Sequence, residues 1–359
     1  DITMTVGPGV TGLEPAGARA PRGRETRAAV PPLMGWTLAF AAVAILFVLA
    51  SGANDGATII GLGLRFPRSP GWAVAVLPVC VLFAVPYLLG VTVARTFTER
   101  LARLGTSGGA AAFLVGVVIA VVVVAALTGR GLPTSLTLAV IGGISGAGLG
   151  AGLPVSWRDL GTVLAIGAGA PLAGLALGYL LGAVSRRVPS HRRMPRLVFT
   201  THLLAYSAQC VAYAVNDGQK MIAVVSVAIG VSRNGLGGVG PVEVPPVWMA
   251  ALVVLFLAGA LTSLVRVGGR LGRGVVITRP LHIVSAETAA TGAVLGSSAL
   301  GSPVSMTQSI TAGVVGAATS EGARRVRWQG VANVGTAWLV TLPSSMALGC
   351  LGGLALRLM

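Results

Sequence analysis

The chain has 359 residues, of which 54% are hydrophobic and only 10% charged, with a mean hydropathy of +0.85. A soluble domain of ordinary composition carries about 25% charged residues, so this chain cannot cover a water-facing surface. Its formal charge of +16 therefore excludes rather than suggests nucleic-acid binding, because no soluble face exists to display the basic side chains.

Residues 1–32 are rich in Gly, Pro, Ala and Arg without an apolar period, the pattern of a disordered tail. Their apolar content is too thin for a signal-peptide core, and since Asp1 is not a natural start the first residues are read as a processing remnant. From Leu33 the character changes. Uncharged stretches cover 33–51, 70–94, 104–129, 131–157, 160–185, 197–216, 244–265 and 330–356. A helix needs roughly 20 apolar residues to cross a bilayer, and most of these stretches reach that length. A membrane β-barrel would alternate apolar and polar residues, whereas these runs are apolar throughout. The predicted fold is an all-α polytopic membrane protein, with Cys80, Cys210 and Cys350 as isolated packing residues.

The predicted elements fall into two units. The first, 33–185, has a broken helix over 36–64 interrupted at Asn54-Asp55-Gly56, a span over 71–94, a pair over 108–128 and 132–151, and a span over 159–184. A basic linker over 186–196 carries Arg186, Arg187, Arg192, Arg193 and Arg196. The second unit, 197–359, has a broken helix over 198–231 interrupted at Asn216-Asp217-Gly218, a span over 246–266, a pair over 281–299 and 302–318, and a span over 330–356. A second motif joins the halves: Gly131-Leu132-Pro133-Thr134-Ser135-Leu136-Thr137 answers to Gly301-Ser302-Pro303-Val304-Ser305-Met306-Thr307. Two motifs in the same order and at similar spacing indicate a duplicated unit. Each unit has an odd number of crossings, whether its pair is counted as two spans or as a re-entrant hairpin. The second unit is therefore expected to be inverted, the arrangement of secondary transporters that bind substrate near the midplane. The arginine distribution places the central linker in the cytoplasm and both termini outside.

Three acidic residues lie deep in apolar surroundings: Asp55, Asp217 and Glu287. A charge at the bilayer centre costs about 2.5–3.5 kcal/mol on insertion scales, so such residues mark ion or substrate pathways. An Asn-Asp-Gly break collects carboxylate, amide and freed carbonyl oxygens, ligands that suit a hard cation. Asn54, Asp55, Asn216, Asp217 and Glu287 are the candidate cation ligands, with Glu287 equally readable as a structural partner. The second motif has the opposite polarity. A proline suits a first helical turn, so Thr134, Ser135, Thr137, Ser305, Thr307 and Gln308 are expected beside free N–H groups at a helix N-terminus, an oxyanion site. Of the 26 basic side chains one alone is a lysine, Lys220, close behind the second Asn-Asp pair. Its compact charge suits phosphate, or it pairs with Asp217 or Glu287. Gln219 beside it joins the candidate substrate ligands.

These motifs, with Gly52-Ala53 preceding the first Asn-Asp and Gly218-Gln219-Lys220 following the second, resemble the inorganic phosphate transporter (PiT) family from about 36 to 356. The chain departs from the family pattern at Leu138 and Gln308, where the family has histidine, and at Thr58, where it has a further asparagine. The resemblance implies an inverted repeat and symport of phosphate with sodium ions or protons. It gives Asp55 and Asp217 to the coupling cation and Thr134, Ser135, Ser305 and Thr307 to the anion. Sulfate, with the same tetrahedral shape, and an anion channel are the alternatives. A membrane enzyme is not expected, since His191, His202 and His282 form no nucleophile–base set with the motifs, and no phosphate-binding loop for ATP is present. No cofactor is expected beyond coupling Na+ or H+. The expected partners are phosphate (or sulfate), that cation and the lipid bilayer of the cell membrane; a homodimer stays open.

Overall fold

The computed structural model describes residues 33–66, 68–130, 134–189, 192–273 and 280–359. The tail expected over 1–32, the helix stop and start expected at Gly131 and Pro133, and His191 lie outside the described residues. Within them the chain is helical, with no β-strand and only an isolated bridge between Ala102 and Val155.

The first half runs α1 (Leu33–Ser51), a π-helical turn (Gly52–Gly56), α2 (Ala57–Gly63), α3 (Gly71–Leu89), α4 (Thr92–Arg95), a second π-turn (Thr96–Arg100), α5 (Gly109–Gly129), α6 (Leu136–Gly150) and α7 (Trp157–Ser185). The second half runs α8 (Met194–Val215), α9 (Asp217–Asn234), α10 (Pro246–Arg273), α11 (Pro280–Ala299), α12 (Met306–Thr319), a 3-10 turn (Ala323–Arg325) and α13 (Trp328–Leu358). Among the described residues, six stretches are long and apolar enough to cross a membrane: Gly35–Gly63, α3, α5, α7, Pro246–Leu264 and α13. Their outward positions, such as Leu46, Leu88, Leu172, Leu339 and Leu351, are exposed apolar side chains, as a lipid-facing surface requires. The short helices α6, α9 and α12 are mostly buried.

Lipid tails are as apolar as leucine, so close backbone packing rather than the hydrophobic effect holds such helices together. Small residues permit that approach. A Cβ on Gly146 of α6 would sit 2.1 Å from the Met346 carbonyl oxygen of α13, and one on Gly316 of α12 would sit 2.0 Å from the Leu175 carbonyl oxygen of α7. Gly146 and Gly316 lie equally far beyond Gly131 and Gly301, so they are equivalent positions of the duplicated unit. Each inner helix thus packs on the last helix of the other half. The same exchange recurs at α3 with α8, and at α10 with α1 and its π-turn.

Two expectations are corrected. A break was expected at both Asn-Asp motifs, and only the second breaks. Asn216, at φ −120° and ψ −88°, separates α8 from α9. Asn54 and Asp55 lie in a π-turn that stays right-handed and closes through the Ala57 N–H donating to the Gly52 carbonyl. Gly52 is pressed against α10, where a Cβ would meet the Phe256 carbonyl oxygen at 2.1 Å. The clamped helix takes its irregularity as a bulge, and the Thr58 hydroxyl satisfies the Asn54 carbonyl at 2.9 Å. The second correction concerns the pairs. Pro303 was expected in the first turn of its helix, yet it lies in the irregular connection and α12 begins at Met306. The serine sets the start. Ser305 has extended N-cap geometry and its Oγ accepts the Gln308 N–H, as Ser135 accepts that of Leu138 before α6.

Candidate functional site

The break at Asn216 gives α9 a free N-terminus inside the protein. Asp217 is its first residue and Lys220 follows one turn later, so both side chains leave the same face. The Lys220 ammonium donates to Asp217 Oδ1 at 2.7 Å, to Asp55 Oδ2 at 2.7 Å and to Thr137 Oγ1 at 3.2 Å. Asp55 comes from the π-turn of the first half and Thr137 from the first turn of α6. Lysine has three donors, and all three are used.

Asp217 is the junction of the site. Its Oδ1 also accepts the Thr137 hydroxyl at 2.9 Å, and its Oδ2 accepts the Met306 N–H at 2.7 Å. That N–H is one of the orphan donors at the start of α12, where a carboxylate meets the positive end of the helix. Asn216 grips the same hairpin, its Oδ1 accepting the Val304 N–H at 2.9 Å and its Nδ2 donating to Ser298 Oγ at 2.8 Å and the Ser302 carbonyl at 3.2 Å. The first pair is less engaged: Asn54 Nδ2 donates to its neighbour Asp55 Oδ1 at 2.8 Å.

Burial makes this group costly. Lys220 is 1% exposed, Asp217 2% and Asp55 3%. With both carboxylates ionised, the single ammonium would leave one uncompensated negative charge, and a buried charge is tolerated only when paired and hydrogen-bonded. The described conformation closes this group off from solvent.

The remaining candidates are distributed around it. Ser135 and Ser305 cap the inner helices, and Ser305 Oγ lies 2.9 Å from Thr307 Oγ1. Thr134 Oγ1 lies 3.4 Å from Thr128 Oγ1. Gln308 is buried in the first turn of α12. The Gln219 amide is spent on the backbone before and within α4, its Oε1 accepting the Ala94 N–H at 2.9 Å and its Nε2 donating to the Gly90 carbonyl at 3.0 Å. Glu287 stands apart. Its Oε2 meets His202 Nδ1 at 2.8 Å, both side chains are fully buried, and no described hydrogen bond or ion pair links Glu287 to Lys220 or the aspartates. Among the described residues no three His, Cys, Asp or Glu side chains cluster closely enough to hold a metal ion.

The sequence reading missed two features. His202 stacks on Phe66 with ring centroids 3.8 Å apart and supplies the partner of Glu287. Its signal was the buried stripe His202, Tyr206, Gln209 and Tyr213 along one face of α8. The other is Thr96, whose hydroxyl donates to the Gly301 carbonyl at 2.7 Å and ties the second π-turn to the tip of the second hairpin. No sequence pattern announced that contact.

Comparison with known proteins bears on this arrangement. The profile described as "Phosphate transporter family" matches residues 189–349. The probable low-affinity inorganic phosphate transporter of Mycobacterium tuberculosis (strain H37Rv) is 31% identical over 323 residues, covering 85% of this chain and 74% of the relative. That of Rhizobium meliloti is 27% identical over 228 residues, 62% of this chain and 67% of the relative. A solved structure named "The sodium-dependent phosphate transporter" superposes with a TM-score of 0.76 at 15% identity, covering 91% of this chain and the whole of the other. At that identity the likeness establishes the fold.

Proposed function

Because the chain belongs to the phosphate transporter family, we propose that it is a secondary active symporter that moves inorganic phosphate across the cell membrane together with sodium ions or protons. The observation that carries the reading is the buried Asp55–Lys220–Asp217 group set against the N-terminal turns of α6 and α12. Helix N-termini favour an anion. The uncompensated negative charge beside them opposes one unless a cation arrives too. That opposition links the two solutes. A carrier lacking it could let phosphate through alone, against a potential worth about 2.3 kcal/mol per charge for each 100 mV.

In this reading Thr134, Ser135, Thr137, Ser305, Thr307 and Gln308 surround the anion, and Asn54, Asp55, Asn216 and Asp217 handle the cation. Lys220 holds the two aspartates together, Gln219 braces α9, and Glu287 serves through its pairing with His202. Residues 33–185 and 197–359 are the repeat units, joined by the basic linker 186–196. The reciprocal packing of α6 on α13 and α12 on α7 supports a two-fold relation between the halves; the odd crossing count puts its axis in the membrane plane, and the arginine distribution puts the linker in the cytoplasm and both termini outside.

The test is uptake of labelled phosphate and labelled sulfate into proteoliposomes with sodium and pH gradients imposed separately. The reading expects phosphate accumulation that collapses when both gradients are removed. Faster sulfate than phosphate uptake would replace the substrate. Uptake that never exceeds equilibrium under any gradient would make the protein a channel.

A further inference from the structure

Three oxygens converge on one buried point: Asp55 Oδ2, Asp217 Oδ1 and Thr137 Oγ1, each bonded to the Lys220 ammonium. Two carboxylates and a hydroxyl from three separate segments form the kind of oxygen set that a hard metal cation seeks. Here the set is already filled. The ammonium uses all its donors, and its side chain is 1% exposed, so a metal ion cannot enter beside it without displacing it.

We propose that Lys220 is a tethered cation, occupying between Asp55 and Asp217 the position a free sodium ion would otherwise take, and that it thereby makes this carrier independent of sodium at that position. The inference rests on the reading of the Asn-Asp motifs as the cation-handling part of a symporter, and it deepens that reading by excluding one coupling ion from one place.

Residue choice supports it independently of the geometry. The chain writes every other basic position as arginine. Arginine's planar fork suits a flat bidentate partner, whereas the ammonium is a compact point charge with three rotatable donors. Three acceptors from the π-turn, α9 and α6 surround one point, as ligands surround an ion. The fold also positions the ammonium as it would a bound ion. Lys220 starts one turn inside a helix whose first residue is itself one of the ligands, so tether and ligand share a rigid frame.

Charge gives the consequence. With Lys220 present, two carboxylates retain one uncompensated negative charge. Removing the ammonium leaves two negative charges and a cavity lined by their oxygens, where a small monovalent cation restores the balance. A variant such as Lys220→Ala should therefore gain sodium binding that the natural protein lacks.

The experiment is thermal unfolding of the purified full chain in detergent, with sodium chloride titrated against choline chloride at constant ionic strength. The natural protein should show no sodium-specific rise in melting temperature that Asp55→Asn abolishes. Lys220→Ala and Lys220→Ser should each show one, and Asp55→Asn added to either should remove it. In proteoliposomes, any uptake of labelled phosphate by the lysine variants should rise with sodium more steeply than uptake by the natural protein, and Asp55→Asn should remove that difference. A sodium-specific rise in the natural protein that Asp55→Asn abolishes would overturn the proposal, even if no lysine variant folds. So would folded lysine variants with no sodium response. Failure of the natural protein to carry phosphate would sink the symporter reading, while the unfolding measurements would still decide whether Lys220 holds the sodium position.

Discussion

Asp217 and Asp55 face the same ammonium but are not equivalent. Asp217 also accepts from Thr137 and from the first N–H of α12, whereas Asp55 has Lys220 and its neighbour Asn54. Replacement by Asn keeps the shape and removes the charge. Both Asp55→Asn and Asp217→Asn should abolish gradient-driven phosphate accumulation. Asp217→Asn should also destabilise the protein more, because it perturbs both inner helix ends. Breaking a buried ion pair by removing one partner costs about 3–5 kcal/mol, and melting temperatures in detergent check the ranking; an equal loss in both variants would contradict it. The same scale applies to His202 and Glu287, a fully buried pair isolated from that group. His202→Ala should lower the melting temperature more than Glu287→Gln, since the first leaves a carboxylate unpaired and the second leaves a neutral amide able to bond the ring. If Glu287→Gln is the more damaging, the carboxylate charge itself is required.

At the scale of elements, the contacts of α6 with α13 and of α12 with α7 depend on glycine where backbones touch. At Gly146 and Gly316 the atom that an added Cβ would strike is a backbone oxygen, not the tip of a flexible side chain, so the helices must part. Overpacking of this kind typically costs about 1–3 kcal/mol. Gly146→Ala and Gly316→Ala should each reduce thermal stability by a comparable amount, measured in detergent, because they sit at equivalent contacts. The helix starts behave differently. Ser135 and Ser305 are caps whose oxygens accept from their own helices, and Ala in their place should cost about 0.5–2 kcal/mol of stability. Ser305→Ala should also raise the KM for phosphate, since it frees the Thr307 hydroxyl to turn away from the site.

At the scale of the whole molecule, the described conformation shuts its polar centre away from water, and transport requires that centre to open. Ser302, at the second hairpin, is buried with an Oγ that has no hydrogen-bond partner among the described residues. In a cysteine-free background, Ser302→Cys should react with a water-soluble thiol reagent slowly, at the rate of opening, and phosphate should change that rate. Immediate complete labelling would mean that the closed conformation is a minor state. Each inner helix packs on the last helix of the other half, so an opening that moves α6 or α12 also involves α13 or α7.

The sequence by itself determined the membrane class, the order of elements in the two halves and the residues that carry charge into the interior. Hydropathy, repeated motifs and the rarity of buried charge are local properties, and they survive without knowledge of which helix touches which. It also singled out Lys220 as unusual but left its partner open, because Asp55 lies 165 residues away and nothing in the spacing joins them. Only the tertiary structure decided that the first Asn-Asp motif bulges while the second breaks, since the difference comes from α10 pressing on Gly52. It alone joined His202 to Glu287, tied Thr96 to the second hairpin and spent Gln219 on backbone. Each of these is a choice among buried polar groups that all need partners, and which partner is within reach is set by how the helices pack.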